Sequence, residues 1–259
     1  MKRQTLAWLW LLATVFSTVQ AQNHRIFDGG VVDAASSRAL VAPGSIASIY
    51  GVDLAPRTEI GLSSPLPPDL SGVRVTVDGL ESPLYFISEG QINFQVPYEI
   101  SLASGFVEVI VLRNGVASRA VNVNTAEYAP SVFLIADALD PAVKYTAVTH
   151  PDGELVSAQR PATPNSILVV YGNGLGVVTN RPGTGFRAVA QPLAEARVTP
   201  AITLGGVALE VQFAGQTPGS IGLSQFNVKL PANLPAGPRL PLVIQMGATT
   251  SLPVQVPVR

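Results

Sequence analysis

The chain has 259 residues, of which 47% are hydrophobic and 13% are charged, and its formal net charge is −1. So small a charge gives no electrostatic reason to expect nucleic acid or an anionic membrane surface as a partner. The sequence contains no cysteine, which excludes disulfides and thiolate metal sites. The protein must therefore depend on its hydrophobic cores for stability.

The first residues have the three-part pattern of a secretory signal peptide. Lys2 and Arg3 precede an apolar run over residues 6–19, and small residues end at Ala21. This run is short for a membrane span. We predict a signal peptide over residues 1–21, cleavage before Gln22, and no membrane span afterwards; an uncleaved anchor is the alternative. The predicted location is secreted, periplasmic or at the cell surface.

The remaining chain contains the same pattern twice. Residues 42–54 and 163–175 share Pro, Ser, Tyr, Gly and Leu at matching places, 121 positions apart. Later matches are 127 positions apart at Gly79 and Gly206, and 134 apart at Gln91 and Gln225. An offset that grows in steps is typical of a duplicated unit whose loops differ in length.

Each repeat is rich in short β-strand patterns. Residues 73–77 alternate Val with Arg and Thr, which predicts a half-buried strand, and Asn114-Gly115 is a strong hairpin signal. Glycine and proline separate the apolar runs, as in an all-β protein. We predict two tandem Ig-like β-sandwiches related by internal duplication, over residues 22–126 and 163–259. Residues 127–162 are predicted to form a β-hairpin connector packed on the second sandwich.

Five motifs cover residues 30–36, 42–46, 90–97, 151–153 and 225–228. Together they resemble a paralogous domain family of acidobacterial secreted proteins, which is usually found as a C-terminal domain and has no characterised function. The stretch over residues 42–54 is also similar to the opening of IPT/TIG-type Ig-like domains. The resemblance implies an Ig-like fold and export, and it supplies no catalytic residues. Asp33 departs from the pattern, since the family usually has Asn there.

A nucleotide site is not expected, although one segment imitates the start of one. An apolar run leads into Gly172, Gly174 and Gly176, as in a dinucleotide-binding unit. Such a unit also needs a helix whose N-terminus faces the pyrophosphate. The following residues 177–185, with Pro182 among them, do not form one. We interpret the glycines as a strand-to-loop turn and predict no nucleotide and no other cofactor.

Enzymatic and metal sites are also not expected. His24 lies near the new N-terminus, and His150 lies at the Pro151-Asp152 turn, where we predict a solvated side chain outside any catalytic constellation. Replacement of both histidines by Ala is predicted to leave folding intact. Oxygen ligands for calcium would have to come from Asp152/Glu154 or Asp137/Asp140, and neither pair has an EF-hand spacing.

Four amide residues form the candidate site. In a strand, Gln91 and Asn93 share one face, with Gln95 beside them, while residues 92, 94 and 96 face the core; Gln225 and Asn227 repeat the pattern. One hypothesis is a polar strip that binds a glycan or a peptide. The other, which we favour because both repeats carry it, is that Asn93 and Asn227 hydrogen-bond neighbouring loop backbone.

These observations favour an exported, non-catalytic binding or structural module at the cell surface or outside the cell. The alternatives are a carbohydrate-binding module and a hydrolase centred on His150. The predicted mature chain has no Trp, the best stacking surface for sugars. We therefore expect a protein or envelope component as partner rather than a soluble glycan, although Tyr85, Tyr98, Tyr128 and Tyr145 remain as stacking surfaces.

Overall fold

The computed structural model describes residues 24–140 and 142–259, and the regular elements of this part of the chain are all β-strands. The predicted signal peptide lies outside these residues. No helix in the described ranges is long and apolar enough to cross a membrane. The predicted all-β fold class is confirmed.

Two sheets of the first half pack face to face. One has the strand order β1-β3-β8-β7-β4, and the other has β2-β11-β9-β5-β6, with β10 paired to β9. Side chains from both sheets form a single buried cluster, which defines a sandwich. The strands are β1 (Arg25–Asp33), β2 (Leu40–Val41), β3 (Ile46–Val52), β4 (Glu59–Ile60), β5 (Val73–Val77), β6 (Leu80–Ser82), β7 (Leu84–Ile87), β8 (Gln91–Gln95), β9 (Phe106–Arg113), β10 (Val116–Ala117) and β11 (Val121–Thr125).

The second half repeats this arrangement. One sheet has the order β12-β16-β20-β19 with β15 also on β16, and the other has β18-β17-β21-β22 with β23 on β21. A second buried cluster joins them, and β13 pairs with β14 as a separate hairpin. The strands are β12 (Ser131–Val132), β13 (Leu134–Ala136), β14 (Lys144–Thr146), β15 (Val148–Thr149), β16 (Ile167–Asn173), β17 (Ala201–Leu204), β18 (Val207–Ala208), β19 (Glu210–Gln216), β20 (Ser224–Lys229), β21 (Gly237–Met246), β22 (Thr249–Thr250) and β23 (Val254–Val258).

The strand order is that of an Ig sandwich, in which strands A, B, E and D form one sheet and C, F and G the other. Strands β1, β3, β8 and β7 take the places of A, B, E and D, while β5, β9 and β11 take those of C, F and G. Strand β2 pairs parallel to β11. The parallel bridge between Ala162 and Val258 repeats that pairing in the second half. The prediction of two tandem Ig-like sandwiches is confirmed.

Alternating side chains account for both cores. Ile92, Phe94 and Val96 are buried, as predicted, and Phe226 and Val228 occupy the corresponding buried positions of the second repeat. Each phenylalanine lies between the two sheets of its sandwich and is fully buried. Replacing a buried Phe with Ala typically costs about 3–5 kcal/mol of stability, through lost transfer energy and the cavity that remains.

The repeated serines of the sequence have one structural role. Ser45 Oγ donates a hydrogen bond to the carbonyl of Ala42, and Ser166 Oγ donates one to the carbonyl of Thr163. Each serine thereby closes the turn that precedes its B strand, β3 or β16. The Pro-x-Ser motif of both repeats therefore stabilises a turn.

The predicted connector also supplies strands to the second sandwich. Strand β1 pairs with β3 in two stretches, separated by a bulge between Ile26 and Val31. In the second repeat β12 and β15 pair with the two corresponding stretches of β16. The β13–β14 hairpin fills the interval between them. It is therefore an insertion at the place of the β1 bulge, within the stretch predicted as connector.

Candidate functional site

The two sandwiches meet at a buried polar joint centred on Asn173. Its side-chain Oδ1 accepts the backbone N–H of Ile46 at 3.0 Å, and its Nδ2 donates to the carbonyl of Ile46 at 2.7 Å. Nδ2 also donates to Asp33 at 2.6 Å. Asn173 ends β16 and is fully buried, so one amide of the second sandwich takes the place of a strand partner for the first.

Asp33 is the charged centre of the joint and is only 1% exposed. Its Oδ1 accepts bonds from Ser36 N–H and Oγ, both at 2.7 Å, and from Ser131 Oγ at 2.8 Å. Burial raises the pKa of this carboxyl above its ordinary value, and the bonds from Ser36, Ser131 and Asn173 oppose that rise. The carboxylate thus joins the end of β1 to the start of β12 and the end of β16.

Gln95 makes a second buried connection. Its Oε1 accepts the backbone N–H of Gly185 from the second sandwich at 2.7 Å, and its Nε2 donates to the carbonyl of Gly44 at 3.2 Å. Gln95 is fully buried. Because Gly222 would place a Cβ 3.1 Å from the carbonyl oxygen of Gly44, the two backbones approach more closely than most side chains allow. Gln95, predicted to share the polar face of Gln91 and Asn93, is a joint residue.

A rim of partly exposed contacts surrounds the joint. Arg181 donates to Glu99 at 2.7 Å, and Thr184 donates to the other oxygen of the same carboxylate at 2.7 Å. The Arg181 guanidinium also lies 5.1 Å from the ring centroid of Tyr98. Hydrogen bonds from Thr184 and Arg181 lower the pKa of Glu99 against the opposing effect of its partial burial. Exposed ion pairs of this kind add little stability, so the buried amides dominate the joint.

The predicted polar strip residues are brought together as two separate amide pairs. Gln91 Nε2 donates to Asn93 Oδ1 at 2.8 Å, and Gln225 Nε2 donates to Asn227 Oδ1 at 2.9 Å. Asn93 Oδ1 also accepts from the buried Ser48 hydroxyl at 2.9 Å. The predicted bonds from Asn93 and Asn227 to loop backbone do not occur among the described residues. The partners are instead neighbouring side chains on the same sheet face.

Aromatic side chains stand directly opposite the amides in both repeats. Tyr50 lies across from Gln91 and Phe86 from Asn93. In the second sandwich Tyr171 lies across from Gln225, and Phe213 from Asn227. The amides are half-buried and their outer edges reach the surface. Each outer sheet face therefore presents the same Tyr–Gln and Phe–Asn grid, which offers apolar ring surface beside amide groups.

The histidine predictions need correction. His150, predicted to be solvated, is buried, with Nε2 lying 3.2 Å from the carbonyl oxygen of Arg160. His24 is also buried, and its Nε2 lies 3.0 Å from the carbonyl oxygen of Val111. The turn of residues 150–154 folds back onto residues 157–160, which covers His150. Each ring makes a backbone hydrogen bond, so we now expect His→Ala changes to lower stability.

The acidic candidates for metal binding have other partners. Asp152 and Glu154 both pair with Arg160, and the Arg160 bond is the main cause of the lowered pKa of Asp152. Asp137 accepts the backbone N–H groups of Leu139 and Asp140, which close a turn. No cluster of three or more metal-ligating side chains occurs in the ranges that the structure describes.

The three glycines that imitate a nucleotide site allow two chain segments to meet. A Cβ on Gly174 would lie 1.8 Å from the carbonyl oxygen of Ala129, and one on Gly176 would lie 2.0 Å from that of Glu127. A Cβ on Gly172 would lie 2.4 Å from the carbonyl oxygen of Ser131. The backbone that enters the second sandwich therefore occupies the space beside these glycines.

Sequence reasoning missed the joint because its residues belong to segments that were interpreted in other ways. Asn173 stands inside the glycine-rich segment, and Asp33 was marked only as a departure from the family pattern. The available signal was asymmetry between repeats, since Asn173 aligns with Val52 and Gln95 aligns with Lys229 at the respective offsets. Positions at which the two repeats carry different residues, on strands otherwise duplicated, are candidates for contact between the repeats.

No family model matches the chain, and no curated protein matches it. Similar solved structures include domains 1 to 8 of the plexin A4 extracellular region, at 12% identity over 99% of this chain and 20% of that chain, with a TM-score of 0.25. Domains 5–6 of the S-layer protein SbsC match at 13% identity over 91% of this chain and 98% of that chain, with a TM-score of 0.27. The chain spans about a fifth of the plexin chain. Likeness at this level carries no argument, so the fold rests on the strand order.

Proposed function

We propose that the protein is an exported, non-catalytic binding or structural module in which two Ig-like sandwiches form one rigid unit. The observation that carries the proposal is the joint of Asp33, Asn173 and Gln95, whose polar groups are buried and paired across the two sandwiches. Export rests on the sequence pattern of residues 1–21. A protein or envelope component is the proposed partner.

Domains linked in one chain usually move relative to one another unless their interface is extensive. Buried hydrogen bonds restrict such motion, because sliding the surfaces leaves polar groups without partners at a cost of about 1–3 kcal/mol each. Asn173 contacts Ile46 through both of its amide atoms, which fixes distance and orientation together. A fixed orientation suits a spacer or a binding surface that spans both sandwiches.

A carbohydrate-binding module is the second candidate, favoured by the duplicated grid of Tyr–Gln and Phe–Asn pairs. Amide groups hydrogen-bond sugar hydroxyls, and aromatic rings supply stacking surface. Tyr50 is 39% exposed, whereas Phe86 and Phe213 are half-buried, so flat ring surface is limited. A protein or envelope component therefore remains the proposed partner. The hydrolase alternative loses support because the ring of His150 lies against a backbone carbonyl.

Distance measurements between the sandwiches test the rigid unit. Because the chain has no cysteine, Ala117→Cys and Ala208→Cys place one spin label on each sandwich, on exposed strand positions. Double electron–electron resonance on the labelled protein should give one narrow distance distribution between the two spin labels. The same labels on an Asn173→Ala background should give a broader distribution. Equally broad distributions in both proteins would overturn the proposal.

Binding is tested by immobilising residues 22–259 and probing them with envelope fractions and a glycan array. We expect retention of an envelope protein that is lost when the joint is broken by Asn173→Ala, since the surface spans both sandwiches. A glycan hit that is lost on Tyr50→Ala or Tyr171→Ala would favour the carbohydrate-binding alternative. Turnover of a substrate that His150→Ala abolishes, while the fold is retained, would overturn the non-catalytic assignment.

A further inference from the structure

Strand β7 of the first sandwich and strand β19 of the second are built alike. Each contains a β-bulge, at Tyr85 in β7 and at Gln212 in β19, and the two bulge residues are 127 positions apart. Leu84 precedes the first bulge residue, and Val211 precedes the second. Because the register against the next strand is the same, the backbone N–H and C=O groups of corresponding residues point in the same directions.

In the first sandwich the chain itself covers the outer edge of this strand. Strand β4 pairs with β7, and the chain after β4 continues along the edge. Gly61 N–H donates to the Tyr85 carbonyl at 2.8 Å. Leu84 N–H donates to the Pro67 carbonyl at 2.8 Å, and Leu66 is only 4% exposed. The segment from Gly61 to Pro67 thus satisfies the outward backbone groups of the bulge and buries an apolar side chain.

In the second sandwich the chain leaves the corresponding edge before it reaches the bulge. Its bond to β19 nearest the bulge runs from the Ala196 N–H to the Ala214 carbonyl at 2.8 Å. The chain then crosses to β17 through residues 197–200, whereas the first sandwich uses residues 61–72 between β4 and β5. The shorter connection has no residues to spare for the edge, so the bulge of β19 is left uncovered.

A notch of about 170 Å³ lies beside the uncovered part of β19. Val211, Gln212 and Phe213 line it from the strand, and Thr199 lines it from the departing chain. Among the described residues, no outer backbone partner reaches the Val211 N–H or the Gln212 carbonyl. Val211 is half-buried, whereas Leu84 at the same position of the first sandwich is fully buried. A strand edge with open main-chain groups accepts an added strand.

Glu195 gives the notch a negative charge. It is the one charged residue that lines the notch, it is exposed, and it forms no ion pair within the described part of the chain. An exposed ion pair contributes little affinity by itself. The carboxylate therefore sets a preference for a basic residue in the ligand, while the open main-chain groups decide what kind of ligand fits.

We propose that the notch binds an extended segment of a partner protein, which lies along β19 as residues 61–67 lie along β7. The segment accepts the Val211 N–H and donates to the Gln212 carbonyl, and it places an apolar side chain in the notch and a basic one near Glu195. The first sandwich identifies this occupant, because the same bulge in the same register holds an extended chain there. The proposal rests on the proposed binding function and locates its partner.

Amide hydrogen exchange measured by NMR on residues 22–259 tests whether the edge is open. The amides of Leu84 and Val211 are a matched pair, because only the first has a backbone acceptor at its outer edge. The Val211 amide should exchange at least about tenfold faster than the Leu84 amide in dilute protein. Equal protection would overturn the proposal. Protection of Val211 that appears only at high protein concentration would identify a second copy as the occupant and would also overturn it.

Selection from a displayed library of random decapeptides tests the ligand class. We expect enriched peptides with alternating apolar residues and a Lys or Arg, and a selected peptide should slow exchange at Val211 and not at Leu84. Val211→Pro removes the outward N–H, a change that edge strands tolerate, and should weaken the peptide by about tenfold or more. Glu195→Gln should weaken it about two- to fivefold. Glu108→Gln, at an exposed glutamate of the first sandwich, is the matched control.

The outcomes separate the notch from the rigid unit. Val211→Pro and Glu195→Gln leave Asp33 and Asn173 untouched, so the inter-sandwich distance distribution should stay narrow while peptide binding falls. Failure to enrich any peptide that protects the Val211 amide would overturn the notch as a site and leave the rigid unit standing. An envelope protein whose retention survives Val211→Pro, in a variant that keeps its fold, would overturn the notch in the same way while supporting the proposed function.

Discussion

Asn173 of the second sandwich pairs with Ile46 of the first as one strand residue pairs with another. Its amide oxygen accepts the Ile46 N–H at 3.0 Å, and its amide nitrogen donates to the Ile46 carbonyl at 2.7 Å. A side-chain amide has the same donor and acceptor arrangement as a peptide group. The N–H of the first residue of β3 thereby finds its acceptor in the neighbouring domain, while its carbonyl also accepts the Ala34 N–H of its own sandwich. The relative placement of the two sandwiches is therefore part of the hydrogen bonding of the fold.

Replacing Asn173 with Ala should lower the free energy of unfolding by roughly 2–4 kcal/mol, because it removes the partner of the Ile46 N–H and of Asp33 Oδ2 in a buried site. Urea unfolding followed by circular dichroism measures the change. Asn122→Ala, at an exposed position of β11, is the control and should change stability by less than about 0.5 kcal/mol. Equal effects of the two substitutions would contradict the role given to Asn173.

The stability of the joint should depend on pH through Asp33. Burial raises its pKa in the folded state above the ordinary value of 3.8. The contribution of a group with a raised folded pKa is fully present below the unfolded pKa and is lost as pH rises through the folded pKa. The unfolding free energy of the wild type should therefore increase relative to that of Asp33→Asn as pH falls from about 7 to about 3.5. A constant difference over this range would contradict the prediction.

The sequence predicted the sandwiches from their periodicity and missed the joint. Core positions such as Phe94 and Phe226 follow from alternation, because burial on a sheet repeats every second residue. The joint residues follow no period. Gln95 lies on the same face as Asn93 by alternation, yet Gly185 of the other sandwich covers it. Contacts between repeats depend on how two folded units dock, and no local pattern encodes that.

The burial of His150 was missed for a related reason. Pro151-Asp152-Gly153 correctly indicates a turn, since Gly153 has a φ of 89°. The expectation of a solvated ring assumed that the turn points into solvent. The bonds of Arg160 to Asp152 and Glu154 hold the following segment against the turn. The contact joins residues several positions apart in loops, where side-chain periodicity gives no information.

Processing of the N-terminus gives a prediction that does not depend on the described residues. Cleavage before Gln22 removes both Trp8 and Trp10. The protein recovered from an export host should then have the mass of residues 22–259 and tyrosine-dominated fluorescence. A recovered protein that keeps residues 1–21, with a tryptophan emission band, would show an uncleaved anchor.

Gly174→Ala should be strongly destabilising. Its φ is 79°, and the new Cβ would lie 1.8 Å from the carbonyl oxygen of Ala129. The backbone conformation alone costs about 1–3 kcal/mol for a non-glycine residue, and the overlap adds to it. Gly153→Ala has a similar positive φ but meets no atom within 4 Å, so it measures the conformational cost alone. Thermal unfolding of both variants compares them, and equal losses would contradict the close approach of the backbone.

The two amide pairs should respond differently to truncation, although the sequence made them equivalent. Asn93→Ala removes the acceptor of the Ser48 hydroxyl, which is 3% exposed, and should lower stability by roughly 1–3 kcal/mol through that unsatisfied buried group. In the second repeat Val169 stands where Ser48 does, so Asn227→Ala loses only the bond from the half-buried Gln225 and should cost about 0.5–1.5 kcal/mol. Urea unfolding of both variants measures the difference.

The double variant Ser48→Ala/Asn93→Ala removes donor and acceptor together, and it should recover part of the loss seen for Asn93→Ala. A double variant that is less stable than Asn93→Ala would show that Ser48 has another partner. Near-zero costs for both single variants, accompanied by loss of a bound ligand, would make the amide pairs a binding site.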